Sequence, residues 1–463
     1  MRRIACLAAG LLLGMACLSF STNSLSDARL KHASRAPARN GWIYVHLEGT
    51  PAEIGFQHGS LLAHEIEDNL LVTKTELEHD EGKTWDFFRQ SARDVFWPHI
   101  EPEYRQELRG IADGLKAQGV KADLWDVLAL NASMEQPYYD RWLRRGKPNV
   151  TGTADRCSAF VATGSYTRDG RIVIGHNAWS SYASGERWNV IFDIVPAKGY
   201  HILMDGTPGV IDSGDDWGVN SAGLVITETT ISAFAGFNPN GVPEFVRARK
   251  AMQYAGSIAQ FANIMEAGNN GGYANTWLVA DSRTNEIASL ELGLQHVTLN
   301  RTKDGYYVGS NFAANPDLIR EETTFDPANP ASSQNARHLR WKQLMAEDRG
   351  RIDVTLGKQM LADHFDAFEN KIDPDERTLC GHVDLSPRGM GNWEPQFGPA
   401  GTVQAKVTDA AGAKKMTFSA ALGHPCGLNF RGSEFLTLHP EFEWTAEILR
   451  DMDSQPWTIF AVR

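Results

Sequence analysis

The sequence predicts a layered α+β protein, on three observations. Apolar residues recur at helical spacing in the front of the chain, at Ile54, Leu61, Leu62, Ile66 and Leu70 and again at Leu108, Ile111 and Leu115. From Cys157 onward the texture changes to short apolar segments separated by turn residues, as in successive strands. Between those segments, residues 244–267 carry Phe245, Val246, Met252, Ala255, Ile258, Phe261 and Met265 at helical spacing. Strands on both sides of a helical stretch fit sheets packed against helices.

In chain order, Met1-Arg2-Arg3, the apolar run from Ile4 to Leu18 and a Ser/Asn-rich exit have the form of a secretory signal over residues 1–25. The run is too short to span a bilayer as a permanent helix. Gly14 stands where a lipobox has Leu, so secretion or release into a periplasm is expected rather than a lipid anchor at Cys17. Residues 26–156 form an α-rich N-terminal segment. Its last part, 136–156, is polar, with Arg141, Arg144, Arg145, Lys147, Pro148 and Gly152, and reads as an exposed linker or excised peptide. Residues 157–463 then make the main domain. Strands are expected at 157–164, 171–176, 188–195, 201–204, 223–229, 276–280 and 287–292, with Asp169-Gly170 as a hairpin turn.

Composition bounds the function classes. With 463 residues, 42% hydrophobic and 22% charged, the chain is soluble globular material with enough apolar content for a large core. Loss of residues 1–25 removes two arginines and no acid, taking the net charge from −12 to −14 and arguing against nucleic acid as a partner. Three cysteines then remain. In an oxidising compartment an odd count implies a free thiol; Cys380 with Cys426 is the natural disulfide candidate and leaves Cys157 for chemistry, although spacing does not fix the pairing. His58 and His64 lack the His-Glu-X-X-His spacing, and no metal site is expected. The loop Gly268-Asn269-Asn270-Gly271-Gly272 lacks the Lys of a phosphate loop and reads as a flexible rim. The sequons at Asn131, Asn149 and Asn300 are no more than chance supplies.

Cys157 carries the chemistry. It opens a strand directly after a polar linker, so scission between Arg156 and Cys157 costs no secondary structure. The cut frees an α-amine, with a reference pKa of about 7.7–8.0, on the residue that owns the thiol. One residue then holds both nucleophile and base, and no cofactor is needed. Such a site also needs donors for a tetrahedral oxyanion. Asn177, Asn220, Asn275 and Asn311 lie at strand edges, each ordinary as a turn former and more telling as a group. His176 ends an apolar strand at the same level. Trp179 and Tyr182 either line an acyl pocket or belong to the core.

These residues carry a family resemblance. Cys157-Ser158-Ala159, His176-Asn177-Ala178-Trp179-Ser180-Ser181-Tyr182, Gly209-Val210-Ile211-Asp212-Ser213-Gly214-Asp215-Asp216, Ser221-Ala222-Gly223-Leu224-Val225, Val242-Pro243-Glu244-Phe245 and Tyr273-Ala274-Asn275-Thr276-Trp277 closely resemble, in order, the phospholipase B-like proteins. Gly49-Thr50-Pro51-Ala52-Glu53-Ile54-Gly55-Phe56-Gln57-His58-Gly59 resembles the entry motif of the related acyl-CoA:6-aminopenicillanate acyltransferase group. Both are N-terminal-nucleophile (Ntn) hydrolases.

The resemblance implies a four-layer αββα sandwich, self-cleavage into two associated chains, and acyl ester or amide chemistry through a Cys157 thioester. It implies Asn220 and Asn311 as oxyanion donors and Arg337 or Arg340 as a site arginine. Ala178 stands where relatives carry an Asp for the nucleophile's amine, so His176 or Asn177 is the expected substitute. Trp179 and Asn275 are expected to contact substrate. The expected partners are a small lipid or acyl-amide substrate and the chain's own N-terminal fragment, with membrane contact only through substrate. An N-acyl amide hydrolase or acyltransferase is the alternative enzyme, and a non-catalytic lipid- or glycan-binding protein the alternative class.

Overall fold

The computed structural model describes residues 27–144, 157–214, 217–386, 388–390 and 396–463. The expected signal over 1–25, Cys17 and the scissile residue Arg156 lie outside them.

Two sheets face each other. The larger runs in the order Ser34–Arg35, Ile43–Gly49, Val190–Pro196, Ile202–Gly206, Trp217–Asn220, Leu224–Thr230, Asn275–Asp281, Glu286–Leu292, Val297–Thr302. The smaller runs Gly305–Gly309, Cys157–Thr163, Val173–Ser181, Ala400–Asp409, Thr417–Leu422, Thr458–Ala461. Side chains alternate across each strand, so Ala159, Val161 and Ile174 of the smaller sheet meet Ile191, Leu203, Val225 and Leu278 of the larger in a shared core. The opposite face of the larger sheet packs on the helices Pro51–Leu61, Ala63–Glu81, Pro102–Ala117, Glu244–Tyr254 and Ile258–Glu266. The opposite face of the smaller one, through Phe160, Ala162 and Val407, packs on Ser333–Glu347 and Val354–Leu361. This is a four-layer αββα sandwich. Lys406 and Asp205, both fully buried, pair across the two sheets at 2.6 Å.

The entry motif at Gly49–Gly59 has a mechanical explanation. Thr50 and Glu53 form a capping box with Pro51 in the first turn. Gly55 and Gly59 then lie against Gly110 and Gly114, and a Cβ on Gly55 would stand 1.9 Å from the Glu107 carbonyl oxygen. Two helix backbones touch where only hydrogen fits. His58 accepts the Gly209 amide at 2.9 Å, and burial lowers its pKa to about 3.

The structure departs from the sequence reading in four places. The N-terminal segment is not purely helical: Ile43–Gly49 enters the larger sheet parallel to Val190–Pro196. Residues 136–143 are a helix, Gln136–Leu143, rather than linker, because Gln136, Pro137, Tyr138 and Asp140 are buried. The helical stretch 244–267 breaks at Ala255–Ser257, where Ser257 caps the second helix by accepting the Gln260 amide. The expected Cys380–Cys426 disulfide is absent: both are free thiols, each 3.6 Å from Nε2 of His382.

Candidate active site

Cys157 heads the strand Cys157–Thr163 and is paired with Ala178. Its side chain shares the inward face with Ala159 and Val161, so the thiol looks into the gap between the sheets. Its backbone nitrogen donates to Oδ1 of Asn311 at 2.9 Å, and its carbonyl oxygen accepts from Arg337 at 2.5 Å. Arg337 also donates to Ser158 Oγ at 3.1 Å and to the same Asn311 oxygen at 3.0 Å, while its Nε is fixed on Ser333 Oγ at 2.9 Å. Residue 157 is therefore held at both backbone polar atoms by groups that are themselves held.

Local sequence explains the arrangement. Gly309 lets the strand Gly305–Gly309 approach the larger sheet, since a Cβ there would lie 2.5 Å from Thr229. Asn311 then takes φ +61°, a left-handed conformation that Asn tolerates. Its amide nitrogen donates to the Thr230 carbonyl at 3.0 Å, which aims Oδ1 at Cys157. Arg337 is fully buried on the helix Ser333–Glu347, and its guanidinium stacks 4.5 Å above the ring of Trp179. Three positions on, Arg340 instead pairs with Asp363 at 2.8 Å, so of the two expected arginines it is Arg337 that contacts Cys157.

The expected residues separate. Asn311 holds the Cys157 backbone nitrogen, where an oxyanion donor was expected. Asn220 lies at the other end of the sandwich: the strand Leu224–Thr230, about 20 Å long, runs from the Asn220 turn to Thr230. Its amide nitrogen donates to the Met252 and Ala255 carbonyls, both at 3.0 Å, and its oxygen accepts from Leu224. This is a loop-to-helix tie that leaves no hydrogen for an oxyanion. Asn220→Ala is accordingly expected to leave turnover per folded molecule unchanged and to cost about 1–3 kcal/mol of stability from buried carbonyls left unpaired. A hundredfold fall in turnover at unchanged Tm would return Asn220 to the site.

Asn177 points away from the thiol and donates to the Leu361 and Leu379 carbonyls at 2.7 and 2.8 Å. His176 is a diagonal neighbour of Cys157, at a spacing of about 7–8 Å; burial and then the Lys406 ammonium hold its pKa well below the usual value, so the ring is neutral. Trp179, 2% exposed, supports Arg337 rather than lining a pocket. Tyr182 is likewise interior, bonded to Asp384 at 2.5 Å and to His424 at 3.1 Å. Asn275 is fully buried beside Thr230, and its amide has no hydrogen-bond partner among the described residues. The 268–272 loop is tied down rather than loose: Asn269 donates to the Gly293 carbonyl at 2.7 Å, and Asn270 bonds Glu135.

A half-open pocket begins at Ser180, two residues and about 7 Å along the strand from Ala178. Leu77, Leu130, Met134, Val210 and Phe245 give it apolar walls, and Asp212 and Tyr273 add polar groups. The Tyr273 hydroxyl lies 3.2 Å from both Glu228 and Thr230, so this wall joins the strand whose end anchors Asn311.

Comparison with known proteins agrees in part with the resemblance. Residues 72–298 match the model of the phospholipase B family. An uncharacterized protein of Archaeoglobus fulgidus is 26% identical over 264 residues, covering 53% of this chain and 42% of its own length. Phospholipase B-like protein C of Dictyostelium discoideum is 26% identical over 215 residues, covering 41% of this chain and 37% of its own. The match thus spans less than half the length of these relatives. Among solved structures, a mutant conjugated bile acid hydrolase of Clostridium perfringens aligns at 12% identity over 57% of this chain and 88% of its own, with a TM-score of 0.34. Penicillin V acylase of Agrobacterium tumefaciens aligns at 11% identity over 57% and 82%, with a TM-score of 0.33. Likenesses this slight carry no argument about the site.

Proposed function

We propose, from the phospholipase B family match over residues 72–298 and the geometry at Cys157, that the chain is an exported Ntn hydrolase that cuts itself before Cys157 and then cleaves an acyl ester. The observation that carries the proposal is the grip of Asn311 and Arg337 on the backbone of Cys157. In self-scission the Cys157 sulfur attacks the Arg156 carbonyl and the peptide nitrogen leaves as an amine. Water then hydrolyses the thioester, giving an Arg156 carboxylate and a free thiol. The new α-amine inherits the contact with Asn311 Oδ1. The fixed positive charge of Arg337, bonded to the same oxygen, disfavours protonation of that amine. A neutral amine beside a thiol can take its proton at neutral pH.

In turnover the sulfur attacks the ester carbonyl, and the alcohol leaves with the proton that the amine had taken. Water, with the amine again as base, releases the fatty acid and restores the thiol. The pocket beyond Ser180 receives the acyl chain, whose burial against apolar walls gives about 0.8 kcal/mol per methylene. Asn275 shares the helix-side face of its strand with Trp277 and Val279 and does not line that pocket, so no substrate contact is assigned to it. The N-terminal fragment stays bound after the cut, because Ile43–Gly49 lies inside the larger sheet and its helices share that sheet's core. Export rests on the signal-like residues 1–25.

The phospholipid or lysophospholipid substrate follows from the family and is tested by a substrate panel. Matured protein should release fatty acid from phospholipid or lysophospholipid esters at least about tenfold faster than from N-acyl amides, a gap of about 1.4 kcal/mol. Preference for amides would overturn the ester reading, and lipid binding without release would favour a non-catalytic scaffold.

A further inference from the structure

The geometry points to a structural zinc site, made by His364, Cys380, His382 and Cys426, on the outer side of the smaller sheet. One ligand atom from each of the four lies within 4.8 Å of all the others. Nε2 of His364 and Nε2 of His382 are 3.2 Å apart, and both sulfurs stand 3.6 Å from the His382 nitrogen. A tetrahedral zinc with Zn–N of about 2.0–2.1 Å and Zn–S of about 2.3 Å requires N···N of about 3.3 Å and S···N of about 3.6 Å. The three separations at the His382 nitrogen match edges of such a tetrahedron. As a hydrogen-bonded cluster the same arrangement is poor: one imidazole nitrogen, with at most one hydrogen, faces three other polar atoms.

The chemistry of the set selects the ion. Two thiolates and two neutral imidazoles suit zinc, and binding releases the two thiol protons, so the occupied site carries no net charge. Cys380 and His382 are buried and His364 and Cys426 half-buried. Four protein ligands leave no open position, which makes the site structural rather than catalytic.

Its place in the fold says what it would hold. Between two ligands sits Gly381, where a Cβ would stand 2.0 Å from the indole of Trp179. Gly381 also accepts the Thr402 amide at 2.9 Å. Trp179 in turn underlies Arg337. The ion would join the 364–382 segment to the loop after Thr417–Leu422 and press Gly381 against the wall beneath the site arginine.

The test is metal analysis of the full chain purified without chelator. One zinc per chain is expected by elemental analysis and native mass spectrometry, with both thiols unbonded in a non-reduced peptide map. Cobalt replacement should give the visible bands of tetrahedral cobalt and a thiolate charge-transfer band. Cys426→Ser and His364→Ala should each lose the metal and lower Tm by at least about 5 °C, as should chelation of the native protein. A Cys380–Cys426 disulfide, a chain that holds no zinc and develops no thiolate–cobalt band, or zinc retained by both variants would overturn the proposal. If a variant fails to fold, the metal content and thiol state of the native chain decide.

Discussion

Cys157→Ala is expected to remove self-scission and turnover together, leaving one intact chain with no hydrolysis above background. The reason is that in the proposed mechanism a single sulfur performs both steps, while its neighbour His176 is neutral and buried and Ser158 faces the opposite side, on Arg337. Cys157→Ser keeps a nucleophilic atom of poorer reactivity and is expected to cut slowly and to hydrolyse less. Both variants should fold, since position 157 is a strand end whose backbone contacts do not involve the side chain. Hydrolysis by Cys157→Ala at the native rate, measured as fatty acid release, would end the assignment of the nucleophile.

Asn311→Asp is expected to shift the pH dependence. Aspartate tolerates the φ of +61° and keeps an acceptor for the Cys157 nitrogen and for Arg337, at the loss of the amide's bond to the Thr230 carbonyl. It places a negative charge beside the α-amine, which favours the ammonium and raises its pKa. The base is then protonated to higher pH, and the acid limb of kcat/KM should move up by about 1–3 pH units. Activity should recover above that limb. An unchanged profile in a variant that has cut itself would mean that residue 311 does not hold the working amine.

Much of this was legible in the residues. Seven strands between Cys157 and Leu292 followed from alternation and turns, and the Asp169-Gly170 turn connects the first two, with Gly170 at φ +74°. Trp217–Asn220, Val297–Thr302, Gly305–Gly309, Ala400–Asp409, Thr417–Leu422 and Thr458–Ala461 were not read. Cys157 stood out because it opens a strand after a polar stretch. What could not be read was direction. Asn177, Asn220 and Asn311 have similar surroundings in sequence, yet strand parity turns Asn177 away from the thiol and the length of one strand removes Asn220. Arg337 and Arg340 lie three apart on one helix, and only the position of Asp363 tells them apart. The strand Ile43–Gly49 hid because its hydrophobic pattern merges with the helix that follows. The Cys/His cluster hid for another reason: its four members are spread from residue 364 to 426, with only Cys380 and His382 close together, and an odd cysteine count points to a disulfide between Cys380 and Cys426.

The account stands on residue 157 becoming a chain terminus, and N-terminal sequencing of purified, active protein tests that directly. The expected result is a chain beginning Cys-Ser-Ala-Phe, co-purifying with a fragment that ends at Arg156. Turnover by a preparation that contains only the uncut chain would contradict it.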